Sequence, residues 1–190
     1  MAPARGRPLS VLLTLSVLGV WNHHLPVLSA AGEDPTTQPW FKSFEARQYQ
    51  DKDGKVLLYR LAKPEHLDRT AKPPLLIFLH GSAGKGNNNV DQVVLWRGFL
   101  LDAVQQQGAV VIAPQCPTWG RWSFESYIRR GTDMATQTQS PATFKCLMEV
   151  IPQLQKEFNL DMDRLYVSGW SMGAGGTWEL LRTQPGVFKE

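Results

Sequence analysis

The sequence predicts an α/β fold: a mostly parallel sheet flanked by helices. Three observations carry this. Pro74–Leu79, Ala109–Ala113 and Arg164–Ser168 are short, β-rich, mainly apolar runs, as strands covered on both faces require. Val90–Gln107 and Pro141–Phe158 place apolar residues at helical spacing, and a third helical run follows Gly175. Strand and helix alternate along the chain, and that order gives right-handed crossovers between parallel strands.

Taken in order, the first residues read as an export signal, residues 1–31. Arg5 and Arg7 form a positive start and Leu9–Val20 an apolar stretch too short to span a bilayer. Leu28-Ser29-Ala30-Ala31 offers small-residue cleavage sites. The chain is thereby expected to be secreted or periplasmic, with an uncleaved N-terminal anchor as the alternative. Residues 32–42 are a polar leader, and 43–190 form the folded domain, expected to be the N-terminal part of a larger one. In it, Phe44–Gln50 and Val56–Leu61 are predicted strands joined at Asp51-Lys52-Asp53-Gly54, where Asp-Gly signals a hairpin. A calcium loop would need a glycine at its sixth position and a glutamate at its twelfth, and has neither here. Val90–Gln107 ends at Gly108, a helix C-cap, while Ser140 and Pro141 suit the start of the next helix.

Composition narrows the function. The chain is 43% hydrophobic and 19% charged, which fits a globular domain. The formal charge of +3 falls to +1 once Arg5 and Arg7 leave with the signal, and no basic run follows, so nucleic acid is not an expected partner. The histidines lack ligand-like spacing with Cys or Asp, so no metal is expected. Gly81 to Gly86 departs from the phosphate-loop pattern at two points, and no dinucleotide loop exists; no cofactor is implied. Cys116 and Cys146 are either a disulfide of an exported protein or two buried thiols.

The chemistry concentrates in Gly169-Trp170-Ser171-Met172-Gly173, set between a strand and a helix. Gly-x-Ser-x-Gly in that setting is a nucleophile elbow, with Ser171 as the candidate nucleophile. Gly169 and Gly173 are needed because a Cβ at either place would hit the neighbouring strand or helix. Pro74–Leu79 runs into His80-Gly81-Ser82, where a loop after an early strand supplies one oxyanion amide. The expected donors are the backbone N–H groups of Ser82 and Met172, fixed before the oxyanion forms. His80 and Gly81 are assigned to loop geometry, because in this arrangement the base follows the nucleophile in the chain. The loop 116–140 leaves the C-terminal end of a strand, where ligands sit in open α/β sheets. Its Trp119 and Trp122, with Trp170 of the elbow, are candidates for a substrate wall, Trp122 more as core.

Phe78-Leu79-His80-Gly81, the Gly84-to-Asn89 loop, Ala113 to Pro117 and Tyr166 to Gly173 resemble the exported phospholipase/carboxylesterase-like α/β-hydrolases. That group is related to the dienelactone-hydrolase and polyhydroxybutyrate-depolymerase types, and some of its members are labelled predicted peptidases. The resemblance covers roughly residues 44–190. It departs from the usual pattern at Ala174-Gly175-Gly176, which keeps residues small against the sheet. It implies a serine hydrolase of small or polymeric carboxylic esters acting through an acyl-enzyme. It also implies a triad Asp and His on loops after later strands. No histidine follows Ser171, and the only acids after it are Glu179 and Glu190. The expectation is an N-terminal part of a longer enzyme, inactive by itself. The alternatives are a serine peptidase of the same fold and a truncated product that only binds.

Overall fold

The computed structural model describes residues 33–118, 120–122 and 142–189. The predicted signal and the Ser140-Pro141 helix start lie outside the described residues. Among these residues five strands form one mixed sheet: β1 (Glu45–Gln50), β2 (Val56–Ala62), β3 (Leu75–Leu79), β4 (Val110–Pro114) and β5 (Leu165–Gly169), in the order β1-β2-β4-β3-β5. β3 pairs in parallel with β4 on one side and β5 on the other, as the alternating pattern predicts. The β1–β2 hairpin adds two antiparallel pairings, Glu45 opposite Leu61 and Tyr59 opposite Pro114. The sheet is therefore more mixed than the sequence suggests, because a hairpin adds to the edge of β4 without any crossover.

Among the described residues four helices flank it: α1 (Asp91–Val94), α2 (Arg97–Gln107), α3 (Ala142–Phe158) and α4 (Met172–Thr183). The period-2 pattern of the strands divides the core between them. Leu75, Ile77 and Leu79 of β3, with Val110 and Ile112 of β4, join Phe144, Leu147, Val150, Ile151 and Leu154 of α3 and Leu180 of α4. Phe78, Val111 and Ala113 point the other way, to Val93, Leu100 and Val104. Every residue of β4 is buried, which explains its unbroken apolar run.

Two local features adjust the sequence reading. The single helix expected over Val90–Gln107 breaks at Leu95-Trp96, where Trp96 takes φ −110° and ψ 7°. The break lays the Trp96 indole against Phe78 at 5.4 Å and Trp170 at 5.3 Å between ring centroids. At the hairpin, Asp51 Oδ1 accepts from the amides of Asp53 and Lys55, and Gly54 holds φ +80°. The turn is thus closed by a carboxylate taking up backbone donors, a structural role and no calcium loop.

Candidate active site

β5 ends at Gly169 and α4 starts at Met172, which leaves two residues for the whole reversal. The chain makes it by putting Ser171 at φ 53° and ψ −114°, outside the ordinary wells of a residue with a side chain. Such a conformation costs on the order of 1–3 kcal/mol and persists only where its surroundings enforce it. Here they do. A Cβ on Gly169 would collide with the Gly173 carbonyl, and one on Gly173 with the Leu79 carbonyl oxygen. The Trp170 amide donates to Leu79 O at 3.1 Å and the Gly173 amide to Trp170 O at 2.8 Å, tying the turn to β3. Ser171 is exposed at the head of α4. The Met172 amide makes no backbone hydrogen bond among the described residues.

Across from it, Ser82–Gly84 forms one turn of 3₁₀ helix directly after β3 and His80-Gly81. The Ser82 amide is likewise without a backbone acceptor among the described residues. Gly81 packs so closely on the elbow that an added Cβ would stand 3.2 Å from Trp170 Cδ1. The two amides thus belong to segments in direct contact, a requirement for a shared oxyanion site.

A buried polar network holds this loop. Gln115 Nε2 donates to Gly84 O at 3.1 Å and Asn88 Oδ1 at 2.8 Å, while its Oε1 accepts from the Asn89 amide at 2.7 Å. Asn89, at φ 54°, donates through Nδ2 to Arg47 O and Tyr59 O and accepts from Gln92 Nε2. Arg60 Nε donates to Asn89 O, and its guanidinium lies 4.2 Å from the Phe41 ring centre. Asn89 and Gln115 fall within segments that carry the family resemblance, but the sequence pattern gives them no such role, and nothing in it marks Gln92 or Trp96. The one available signal is the run Asn87-Asn88-Asn89 just before Gln92, a polar cluster too dense for an ordinary turn.

His80 is buried, with 2% of its surface exposed. Its Nε2 accepts from the Cys116 amide at 2.9 Å, so Nδ1 carries the proton and donates to Gly81 O at 2.6 Å. Burial, the largest influence, pushes its pKa below the usual histidine value. Both ring nitrogens are spent on backbone, so His80 is a loop-holding residue and has no nitrogen free for Ser171. An added Cβ on Gly84 would stand 2.6 Å from His80 Nδ1, which explains the glycine there. His66 is exposed and is not among the residues lining the cleft at Ser171. Glu179 is buried within α4 and paired with Arg182 at 2.7 Å.

That cleft has a volume of about 200 Å³ and runs between the His80–Gly84 loop, Trp96 and Trp170-Ser171. Trp170 is 57% exposed on its rim and Leu95 75%. Trp122 is not a wall residue: it is fully buried, its Nε1 donating to His80 O at 3.0 Å and its ring stacked on Phe144. The indole needs an acceptor once buried and finds it on the His80–Gly84 loop, so Trp122 supports that loop from beneath. Trp119 lies outside the described residues. Cys116 and Cys146 are free buried thiols in place of a disulfide. Burial is the largest influence on both; Lys85 and Arg121 also act on Cys116, and Asp51, Glu149, Lys55 and Lys145 on Cys146. Among the described residues no three His, Cys, Asp or Glu side chains group to hold a metal, and no helix is long and apolar enough to cross a membrane.

No family model matches this chain. A bifunctional acetylxylan esterase/xylanase, XynS20E of Neocallimastix patriciarum, is 31% identical over 109 residues, covering 57% of this chain and 13% of that protein. The crystal structure of a thermostable esterase superposes with a TM-score of 0.67 at 31% identity, over 78% of this chain and 40% of that one. An S-formylglutathione hydrolase from Agrobacterium tumefaciens gives 0.53 at 17% identity, over 75% and 54% of the two chains, a likeness of fold alone. The chain therefore spans well under two thirds of the length of these relatives. By fold it is an α/β-hydrolase, similar in structure to esterases.

Proposed function

We propose that this chain carries the nucleophile and oxyanion site of a serine hydrolase acting on carboxylic esters through an acyl-enzyme. The observation that carries the proposal is the enforced backbone of Ser171 at φ 53° between β5 and α4. In that geometry Oγ attacks the ester carbonyl carbon, and the carbonyl oxygen, as it gains charge, receives the Ser82 and Met172 amides. Collapse of the intermediate expels the alcohol, and water then releases the acid from Ser171. Both steps need a general base, which His80 does not provide because its nitrogens are bonded to backbone. The base and its acid partner are assigned to residues outside this chain, and the coverage of the esterase chain, 40%, supports that reading. Residues 1–31 are read as an export signal, which places the activity outside the cytoplasm.

The test compares hydrolysis of phenyl acetate by the protein at its natural length with that by its Ser171→Ala variant. The proposal expects loss of at least ~10³-fold in kcat for the variant. Equal rates would exclude Ser171 as the nucleophile. A second reading, a binding product without turnover, rests on the engagement of His80. It predicts no acyl-enzyme at Ser171 under any condition, together with ester binding that survives Ser171→Ala.

A further inference from the structure

We infer that Gln92 reads a hydroxyl group on the substrate, an inference that rests on the ester-hydrolase reading above. Gln92 is 1% exposed, lines the cleft that holds Ser171, and its Oε1 is buried with no hydrogen-bond partner among the described residues. The orientation of its amide is not free. Asn89 Nδ2 is committed to two backbone carbonyls, those of Arg47 and Tyr59, so Asn89 Oδ1 can only accept. Gln92 Nε2 must therefore face Asn89, which leaves Oε1 as a fixed acceptor. A lone buried acceptor is costly and calls for an explanation; a donor that arrives with the substrate supplies one. Trp96, Trp170 and Leu95, which line the same cleft, give it apolar and aromatic surface. An unpartnered acceptor on a residue of an aromatic cleft suits an ester whose acyl or alcohol part has an apolar face and a hydroxyl donor. A site built to receive a hydroxyl discriminates against the analogue lacking it, because the acceptor is then buried unpaired.

The experiment uses the natural-length protein with two pairs of esters. Phenyl hydroxyacetate against phenyl propionate places the hydroxyl on the acyl side; 2-hydroxyethyl acetate against propyl acetate places it on the alcohol side. The preference for the hydroxylated member, as a ratio of kcat/KM, is measured in the wild type, Gln92→Met and Gln92→Glu. One pair should show a preference that falls by about fivefold to tenfold in Gln92→Met and persists in Gln92→Glu, which keeps an acceptor but loses the amide donor. Unchanged ratios in Gln92→Met for both pairs would overturn the inference. So would equal loss in both variants, since that would make the Asn89 contact the only role. Inhibition of the wild type by glycolamide against propionamide, and ethylene glycol against 1-propanol, needs no variant. The hydroxylated member of one of these pairs should inhibit more tightly, and equal inhibition within both pairs would count against Gln92. Absence of any Ser171-dependent turnover would overturn the parent reading as well, and is distinguishable from a turnover without hydroxyl preference.

Discussion

The ring of His80 bridges two loops: its Nε2 accepts from the Cys116 amide at 2.9 Å, so the segment after β3 is fastened to the segment after β4. A histidine in the loop beside Ser171 invites assignment as a base, and this bond removes it from that role. It also fixes the tautomer, and with it the carbonyl of Gly81.

Because burial holds the His80 pKa below its ordinary 6.5, the folded protein keeps the ring neutral while the unfolded chain protonates. The unfolded state then binds more protons, so stability falls as pH drops below about 6.5, by at most ~1.4 kcal/mol per pH unit from this group. Above that pH the ring contributes no slope. Urea unfolding between pH 5 and 8 should show this decline in the wild type and a shallower one in His80→Gln.

Gly173→Ala should be among the most damaging single changes. Its new methyl group would meet the Leu79 carbonyl oxygen, main chain of β3 that has no room to yield. A loss on the order of 3 kcal/mol or more is expected, read as a drop in the thermal unfolding midpoint.

Gln115→Ala removes three hydrogen bonds at once and leaves Gly84 O, Asn88 Oδ1 and the Asn89 amide without that partner. Each such group costs about 1–3 kcal/mol where it stays buried. Calorimetry should show a lower midpoint, and amide exchange at Gly84–Asn89 should accelerate more than exchange in α3.

Burial pushes the Cys116 thiol up to about 12 and raises that of Cys146 as well. Neither forms thiolate at neutral pH in the fold. Ellman's reagent at pH 8 should leave both unreacted in the native protein and titrate both in guanidinium chloride. Absence of free thiol after denaturation would show that the pair is oxidised.

The parallel strands β3, β4 and β5 and the tight turn at Ser171 were legible in the sequence because each is dictated by local chemistry. β4 is apolar throughout because both its faces are covered, and Gly169 and Gly173 are glycine because main chain lies against them. Less legible was anything set by contacts between distant segments. The break at Trp96 answers to Phe78 and Trp170, and the place of Trp122 answers to Phe144 and the His80 carbonyl. The Asn89–Gln92–Gln115 network is invisible for the same reason, since its members meet only after the sheet has formed.

The central claim is that Ser171 is an activated nucleophile in the assembled protein. The direct measurement is mass spectrometry of the natural-length protein after reaction with a fluorophosphonate. Fragment ions of the tryptic peptide Leu165–Arg182 distinguish Ser171 from Ser168. Stoichiometric phosphonylation at Ser171, abolished by heat denaturation, is the predicted result. An unmodified peptide from folded protein would contradict the account.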